Sequence, residues 1–336
     1  MRIILACCLL ILLGGSCGSK PQGRYISETD TTFSSDIRSI SARINKEPGN
    51  ADLYYKRANT FYFETRFRDA LQDIDFALML DSLNPVYHVR KAEILMGTDS
   101  ADSKKAIVHY RKALALKPGM EDALSGLGKI QLARQEYSEA LETFNTLLEV
   151  NPMNAGTMVY MGLAAKEMND TAQAMARFEK ALSINPSEFN AVMQMANLYA
   201  ERKPDLALQY YDRALSIDEY SDEALYAKGF LLQKIGRYQD ALGLYLRTKE
   251  VNAGHRFAYY NSAVIYGLFK DFEEALRWLD DLIALDENFA KAYHYRAYVN
   301  EQLGKTKDAI GDYRKTLELD PRNEDAKNQL TALGGL

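Results

Sequence analysis

Cysteine is scarce in this chain of 336 residues. Cys7, Cys8 and Cys17 are the only three, all near the start. Beyond Cys17 neither a disulfide framework nor a cysteine metal site is available to the folded part. Histidine is nearly as sparse. His88, His109, His255 and His294 include no pair three or four residues apart, and no HExxH motif or clustered Asp/Glu/His set occurs. A helical metal site needs two ligands on one face, so no metal and no cofactor are expected. Basic stripes are missing too. The net charge is −5, and without clustered Lys and Arg to neutralise phosphates no nucleic-acid partner is expected. Charges of both signs alternate, as on solvated helix faces. The signatures of hydrolysis are likewise absent, with no GxSxG and no paired-acid constellation. The segment "SGLGKI" at 125–130 lacks the GxxxxGK[ST] spacing of a phosphate loop and falls inside a helix. These absences point away from an enzyme and toward a binding protein.

What is abundant is repetition. Read in rows of 34 from Ala51, alanine recurs in one column at Ala70, Ala106, Ala140, Ala174, Ala207, Ala241, Ala275 and Ala309. An earlier column holds only Ala or Gly: Ala58, Ala92, Gly128, Gly162, Ala196, Gly229, Ala263 and Ala297. Four residues after the invariant alanine comes a bulky apolar residue: Ile74, Tyr110, Phe144, Phe178, Tyr211, Tyr245, Leu279 or Tyr313. This i, i+4 stripe is the face a helix buries. Each row reads as two helices, A and B, joined by a short polar turn, with the two small columns nesting where the backbones approach. Helix B ends in phrases such as "LKPG" and "LDPR". Proline lacks a donor and restricts its predecessor, so the helix stops there. In four rows Ser82, Glu219, Ala253 and Glu287 replace the proline, and polar residues are expected to carry the turn.

The small, aromatic and proline columns in a common 34-residue register resemble tetratricopeptide repeats (TPRs). The resemblance covers residues 51–323, as rows 51–84, 85–120, 121–154, 155–188, 189–221, 222–255, 256–289 and 290–323. It implies an all-α fold: a right-handed superhelical solenoid of about eight helix-turn-helix repeats, read as one continuous domain. Residues 36–50, with Ile37, Ile40 and Ile44 on one face, read as an N-terminal capping helix, and residues 324–336 as a C-terminal one. Two extra residues at 97–103 in the second row fall in a turn, where insertions are tolerated.

At the N-terminus, Arg2 precedes an apolar run from Ile3 to Leu13 and then small residues. That run suits a signal-peptide core and is short for a bilayer span. Gly14-Gly15-Ser16-Cys17 resembles a bacterial lipobox, although Gly14 stands where an aliphatic residue is usual. The resemblance implies a signal peptide over 1–16 and a lipid-modified Cys17. The alternatives are ordinary secretion with a coincidental cysteine, or a retained anchor. Gly18 rather than Asp after the cysteine favours the outer membrane by analogy. Residues 17–35 read as a flexible tether, with a reach of roughly 20–25 Å.

In a TPR solenoid the A helices line the concave face. The groove-facing columns are spaced three or four apart and so share one side of the helix. In the last four rows they turn aromatic and amide-rich: Asn190, Met193, Asn197, Tyr226, Phe230, Phe257, Tyr260, His294 and Tyr298. Exposed aromatic rows mark interfaces, and asparagines can hold a bound backbone. The competing reading is that these rings pack between neighbouring A helices. Gly267, also on this face, is expected to leave room for a ligand. The Lys/Asn and Lys/Arg set of the TPR carboxylate clamp is not matched, since Asn59 and Asn197 are accompanied by Tyr55 and Met193. The expected function is a non-catalytic scaffold, lipid-anchored at a bacterial outer membrane and facing the periplasm, that binds a peptide or protein partner in its groove. A pilotin-like assembly factor for a pilus or secretion system is the alternative, followed by an enzyme or small-molecule binder.

Overall fold

A computed structural model describes residues 26–27, 29–98 and 102–335. Among them are eighteen α-helices and no strand. The A helices are α2 (Ala51–Phe63), α4 (Pro85–Thr98), α6 (Glu121–Ala133), α8 (Ala155–Glu167), α10 (Phe189–Tyr199), α12 (Asp222–Lys234), α14 (Arg256–Leu268) and α16 (Ala290–Gln302). The B helices are α3 (Phe67–Leu80), α5 (Ser103–Leu116), α7 (Tyr137–Val150), α9 (Thr171–Ile184), α11 (Pro204–Ile217), α13 (Tyr238–Val251), α15 (Phe272–Leu285) and α17 (Thr306–Leu319). Helix α1 (Ser35–Lys46) precedes them and α18 (Glu324–Ala332) follows. The described residues form two compact units, divided between Pro152 and Met153. No helix among the described residues is long and apolar enough to cross a membrane.

The repeating columns are the core. All eight B-helix alanines are 0 % exposed, and the eight bulky residues that follow them are buried. Fully burying a side chain such as Phe144 or Phe178 is worth about 1.5–3 kcal/mol. The A-helix column makes room for these rings. A Cβ on Gly128 would overlap the Phe144 ring, and one on Gly162 would lie 2.5 Å from Phe178 Cε1. Glycine in a helix interior costs roughly 0.5–1 kcal/mol against alanine, and close packing against the ring offsets it.

Two turn designs alternate. Between A and B helices the chain passes through the left-handed region at Thr65, Gln135, Asn169, Gly236, Lys270 and Gly304. The next amide then bonds back to the last turn of helix A, as in Arg66 N–H to the Phe61 carbonyl (2.8 Å) and Arg237 N–H to Leu232 (2.8 Å). Between B and A helices an Asp or Asn carboxyl or amide oxygen accepts from the amide two residues on. Asp81, Asp218, Asn252 and Asp286 do this in the four rows that lack proline. Asn185 and Asp320 make the same bond around Pro186 and Pro321, so the Asx turn is common to rows with and without the ring.

The N-terminal segment differs from the expected tether. Ile26 (2 % exposed) and Phe33 (7 %) lie in the core with Ile37 and Phe61. The Arg66 guanidinium covers the Phe33 ring at 4.2 Å, and Arg38 Nη1 donates to the Phe33 carbonyl at 2.9 Å. Two large apolar side chains in a mostly polar stretch are enough to pin it, so a free tether does not extend to residue 35. The signal-peptide and lipobox residues, and positions 99–101 of the second-row insertion, lie outside the described residues.

Candidate functional site

The A helices of the second unit carry a row of partly exposed rings. On α12, Tyr226 is half-buried while Phe230, one turn on, is 49 % exposed. On α14, Phe257 is 45 % exposed and Tyr260 half-buried, and on α16 Tyr298 is 43 % exposed. These are i, i+3 and i, i+4 positions, so each helix presents its rings on one side. The rings run in sequence. Phe230 stacks on Tyr226 (centroids 6.2 Å apart), Tyr226 meets Phe257 (6.4 Å), and Phe257 meets Phe289 edge-on (5.8 Å). Phe289 then meets Tyr260 (5.9 Å), Tyr260 meets Tyr295 (6.1 Å), and Tyr295 stacks on Tyr298 (5.6 Å). These separations fall in the range where aromatic pairs attract.

The row is both packed and available. Tyr226 and Tyr260 form the packed part, each lying against the core of the second unit. Asn261 Nδ2 donates to Tyr226 Oη at 3.2 Å and to Tyr245 Oη at 3.3 Å, and Tyr245 in turn donates to Gln233 Oε1 at 2.6 Å. Burial raises the phenol pKa of Tyr226 and of Tyr260, and pushes that of Tyr295 up to about 12. The hydroxyls, protonated at neutral pH like any phenol, therefore stay so further into the alkaline range. Phe230, Phe257 and Tyr298 are the available part.

Four other positions read as groove residues meet different surroundings. Met193 is 2 % exposed, among Val192, Ala196 and Ala207, so it is core rather than groove. Its unbranched thioether fills the space beneath the surface of α10. Asn197 is exposed, and its Oδ1 accepts from Tyr211 Oη at 2.6 Å. Asn190 is exposed and borders a hollow of about 250 Å³ lined also by Gly156, Val159, Leu163 and Gln194. His294 Nε2 lies 2.9 Å from Asp325 Oδ2 of α18, which holds this imidazole at the end of the row. The space beside Gly267 is already filled, because a Cβ there would overlap the Tyr295 hydroxyl, which donates to the Val264 carbonyl at 3.4 Å.

Sequence reasoning missed two rings. His255 and Phe289 each stand immediately before an A helix. His255 Nδ1 accepts from the Ala258 amide at 3.3 Å, capping α14, and its ring lies 4.4 Å from Tyr226. Phe289 bridges Phe257 and Tyr260. The signal was present in that column, which elsewhere holds residues such as Asn50, Asn154 and Ser221. Two larger hollows of about 520 Å³ each are lined with charged groups that already pair with one another, Arg296 with Asp280 and Asp312 in one and Lys228 with Asp212 in the other. Among the described residues no group of three or more metal-ligating side chains converges.

Comparison with known proteins agrees with this architecture. Family models described as tetratricopeptide repeat match residues 98–156, 158–188, 258–289 and 290–323. A TPR repeat-containing protein of Methanocaldococcus jannaschii is 23 % identical over 283 residues, covering 80 % of this chain and 48 % of its own length. The chain thus spans about half of that relative. The type IV pilus assembly protein PilF of Pseudomonas aeruginosa is 30 % identical over 165 residues, 47 % of this chain and 61 % of that protein. The solved C-terminal part of a TPR repeat-containing protein from Cytophaga hutchinsonii superposes with a TM-score of 0.57 at 18 % identity, covering 72 % of this chain and 99 % of that one, a likeness of fold alone. With its consecutive helical hairpins and these matches, the chain carries tetratricopeptide repeats, the modules of proteins that bind other proteins.

Proposed function

We propose that this chain is a non-catalytic adaptor that holds an extended peptide or protein partner along the A-helix face of its second unit. The observation that carries the reading is the row of Phe230, Phe257 and Tyr298, each more than two fifths exposed and backed by packed rings. Rings fixed from behind lose little entropy on binding, and Tyr and Phe are enriched in interface cores. Cys17 carries a lipid in this reading, which places the adaptor in a bacterial envelope, facing the periplasm from the outer membrane. Tethering there raises the local concentration of whatever is held. The lipobox-like Gly14-Gly15-Ser16-Cys17 supports this part.

The test is capture by the purified full chain against a variant with Phe230→Ser, Phe257→Ser and Tyr298→Ser. The wild type should retain a partner that the folded variant loses; equal retention would refute the groove. A second reading, an assembly factor for a pilus or secretion system, is favoured by the similarity to PilF over 165 residues. Deleting such a factor should alter the assembly or placement of one outer-membrane oligomer, whereas a general adaptor should bring down several soluble proteins.

A further inference from the structure

His88 on α4 and His109 on α5 are 21 residues apart in the chain, yet their rings meet edge to edge, inclined by 28°, with centroids 5.3 Å apart and Nδ1 atoms 3.0 Å apart. His88 is 6 % exposed and His109 half-buried. The other nitrogen of His88, Nε2, lies 3.1 Å from the Ser82 carbonyl oxygen in the α3–α4 turn. A carbonyl only accepts, so Nε2 carries the proton and donates, and neutral His88 presents a bare Nδ1 to its neighbour. Only His109 can then supply the proton between the rings. Its Nδ1–H donates to His88 Nδ1, and its own Nε2 is left as the acceptor. One hydrogen-bonded chain therefore ties the turn, α4 and α5 together: His109 to His88 to Ser82.

We propose that this histidine pair is a proton-sensitive latch, closing the α4–α5 hairpin while both rings are neutral and loosening it on acidification. The first added proton goes to His109 Nε2 and keeps the ring-to-ring bond. It places a cation in a half-buried site already facing Lys91 of α4 and Lys112 of α5, Lys91 being itself paired with Asp75 of α3 at 2.6 Å. A second proton, on His88 Nδ1, sets two N–H groups against each other and breaks the bond. Burial first, then the lysines and His88, lower the His109 pKa from 6.5 to about 4. Burial is also the largest cause of the lowered His88 value, opposed by the bond to Ser82. Both folded values lie below the unfolded one. The unfolded hairpin thus binds more protons, and stability is full above pH 6.5 and lost as pH falls from there toward 4.

The experiment is nitrogen-detected NMR of the imidazoles in the labelled full chain, with amide exchange as a function of pH. At pH 7.5 the latch requires the Nε2–H tautomer on His88, the Nδ1–H tautomer on His109 and a measurable coupling across the N–H···N bond. Between pH 6.5 and 4 the opening equilibrium of α4–α5 should rise, by up to about tenfold per pH unit for each of the two histidines, relative to the α2–α3 hairpin. His109→Phe keeps an aromatic ring beside His88 without a titrating nitrogen and should remove the His109 share of that excess, leaving only the part due to His88. Independent titration of both rings near 6.5 without coupling would overturn the latch, as would an unchanged excess in His109→Phe. If that variant does not fold, the wild-type tautomers and titration decide alone.

Discussion

Arg57 and Asp73 form a two-bond ion pair inside the first repeat. Nε donates to Oδ2 at 2.6 Å and Nη2 to Oδ1 at 2.7 Å, with side chains 0 % and 2 % exposed. Nη1 extends the contact to Ser41 Oγ of α1 at 2.9 Å. Arg296 and Asp312 repeat the same sixteen-residue spacing and the same two bonds in the last repeat. Removing one partner of such a pair leaves a buried charge. Arg57→Met should therefore cost about 3–5 kcal/mol in urea unfolding, and Arg57→Met with Asp73→Leu should recover much of it. Equal losses in the single and double variants would show that the pair is not what matters at this site.

Gly162 tests the close approach of the hairpin helices. Alanine is the better helix former by about 0.8–1.0 kcal/mol, but its Cβ would lie 2.5 Å from the Phe178 ring carbon. Gly162→Ala should lower the melting temperature in spite of its propensity. Gly162→Ala with Phe178→Leu should restore part of the loss, because the shorter side chain frees the space. A stabilised single variant would contradict the packing account.

The exposed rings should separate folding from binding. Phe230→Ser, Phe257→Ser and Tyr298→Ser each remove a partly exposed group, for which surface changes usually fall within about 0.5 kcal/mol. Their combined effect on partner affinity should reach tenfold or more, about 1.4 kcal/mol. Tyr226→Ala and Tyr260→Ala are a less clean pair. Tyr226 accepts the Asn261 bond and both rings back the core, so they should reduce stability as well as binding. Parallel titrations of affinity and thermal unfolding distinguish the two sets.

Cys17→Ala addresses the proposed anchor. It should release the protein into the soluble envelope fraction and abolish incorporation of a labelled fatty acid. Tight membrane retention without the cysteine would contradict lipid as the sole tether.

The periodic part of the fold is legible because every repeat must solve the same packing problem. Ala70 and Ile74 recur as Ala309 and Tyr313 with the same burial. What is not periodic is not legible. The Arg57–Asp73 pair occurs in the first and last rows and forms no column through the rows between. His88 and His109 lie 21 residues apart, so a search for ligands on a single helix passes over them. Met193 carries a groove position's number yet turns into the core, because three or four neighbouring columns share each helix side and small rotations decide which is covered. Gly267 gives the same lesson, since only the structure shows that Tyr295 of the following repeat fills the space it leaves.

The most direct measurement is photo-crosslinking from a probe at Phe257, 45 % exposed in the middle of the ring row, in intact cells that make the protein natively, with mass spectrometry of the adducts. An adaptor that holds its partners along this face gives protein adducts from Phe257, absent when Phe230 and Tyr298 are changed to serine. Adducts from a control probe on the B-helix side at Gln209, with none from Phe257, would contradict the account.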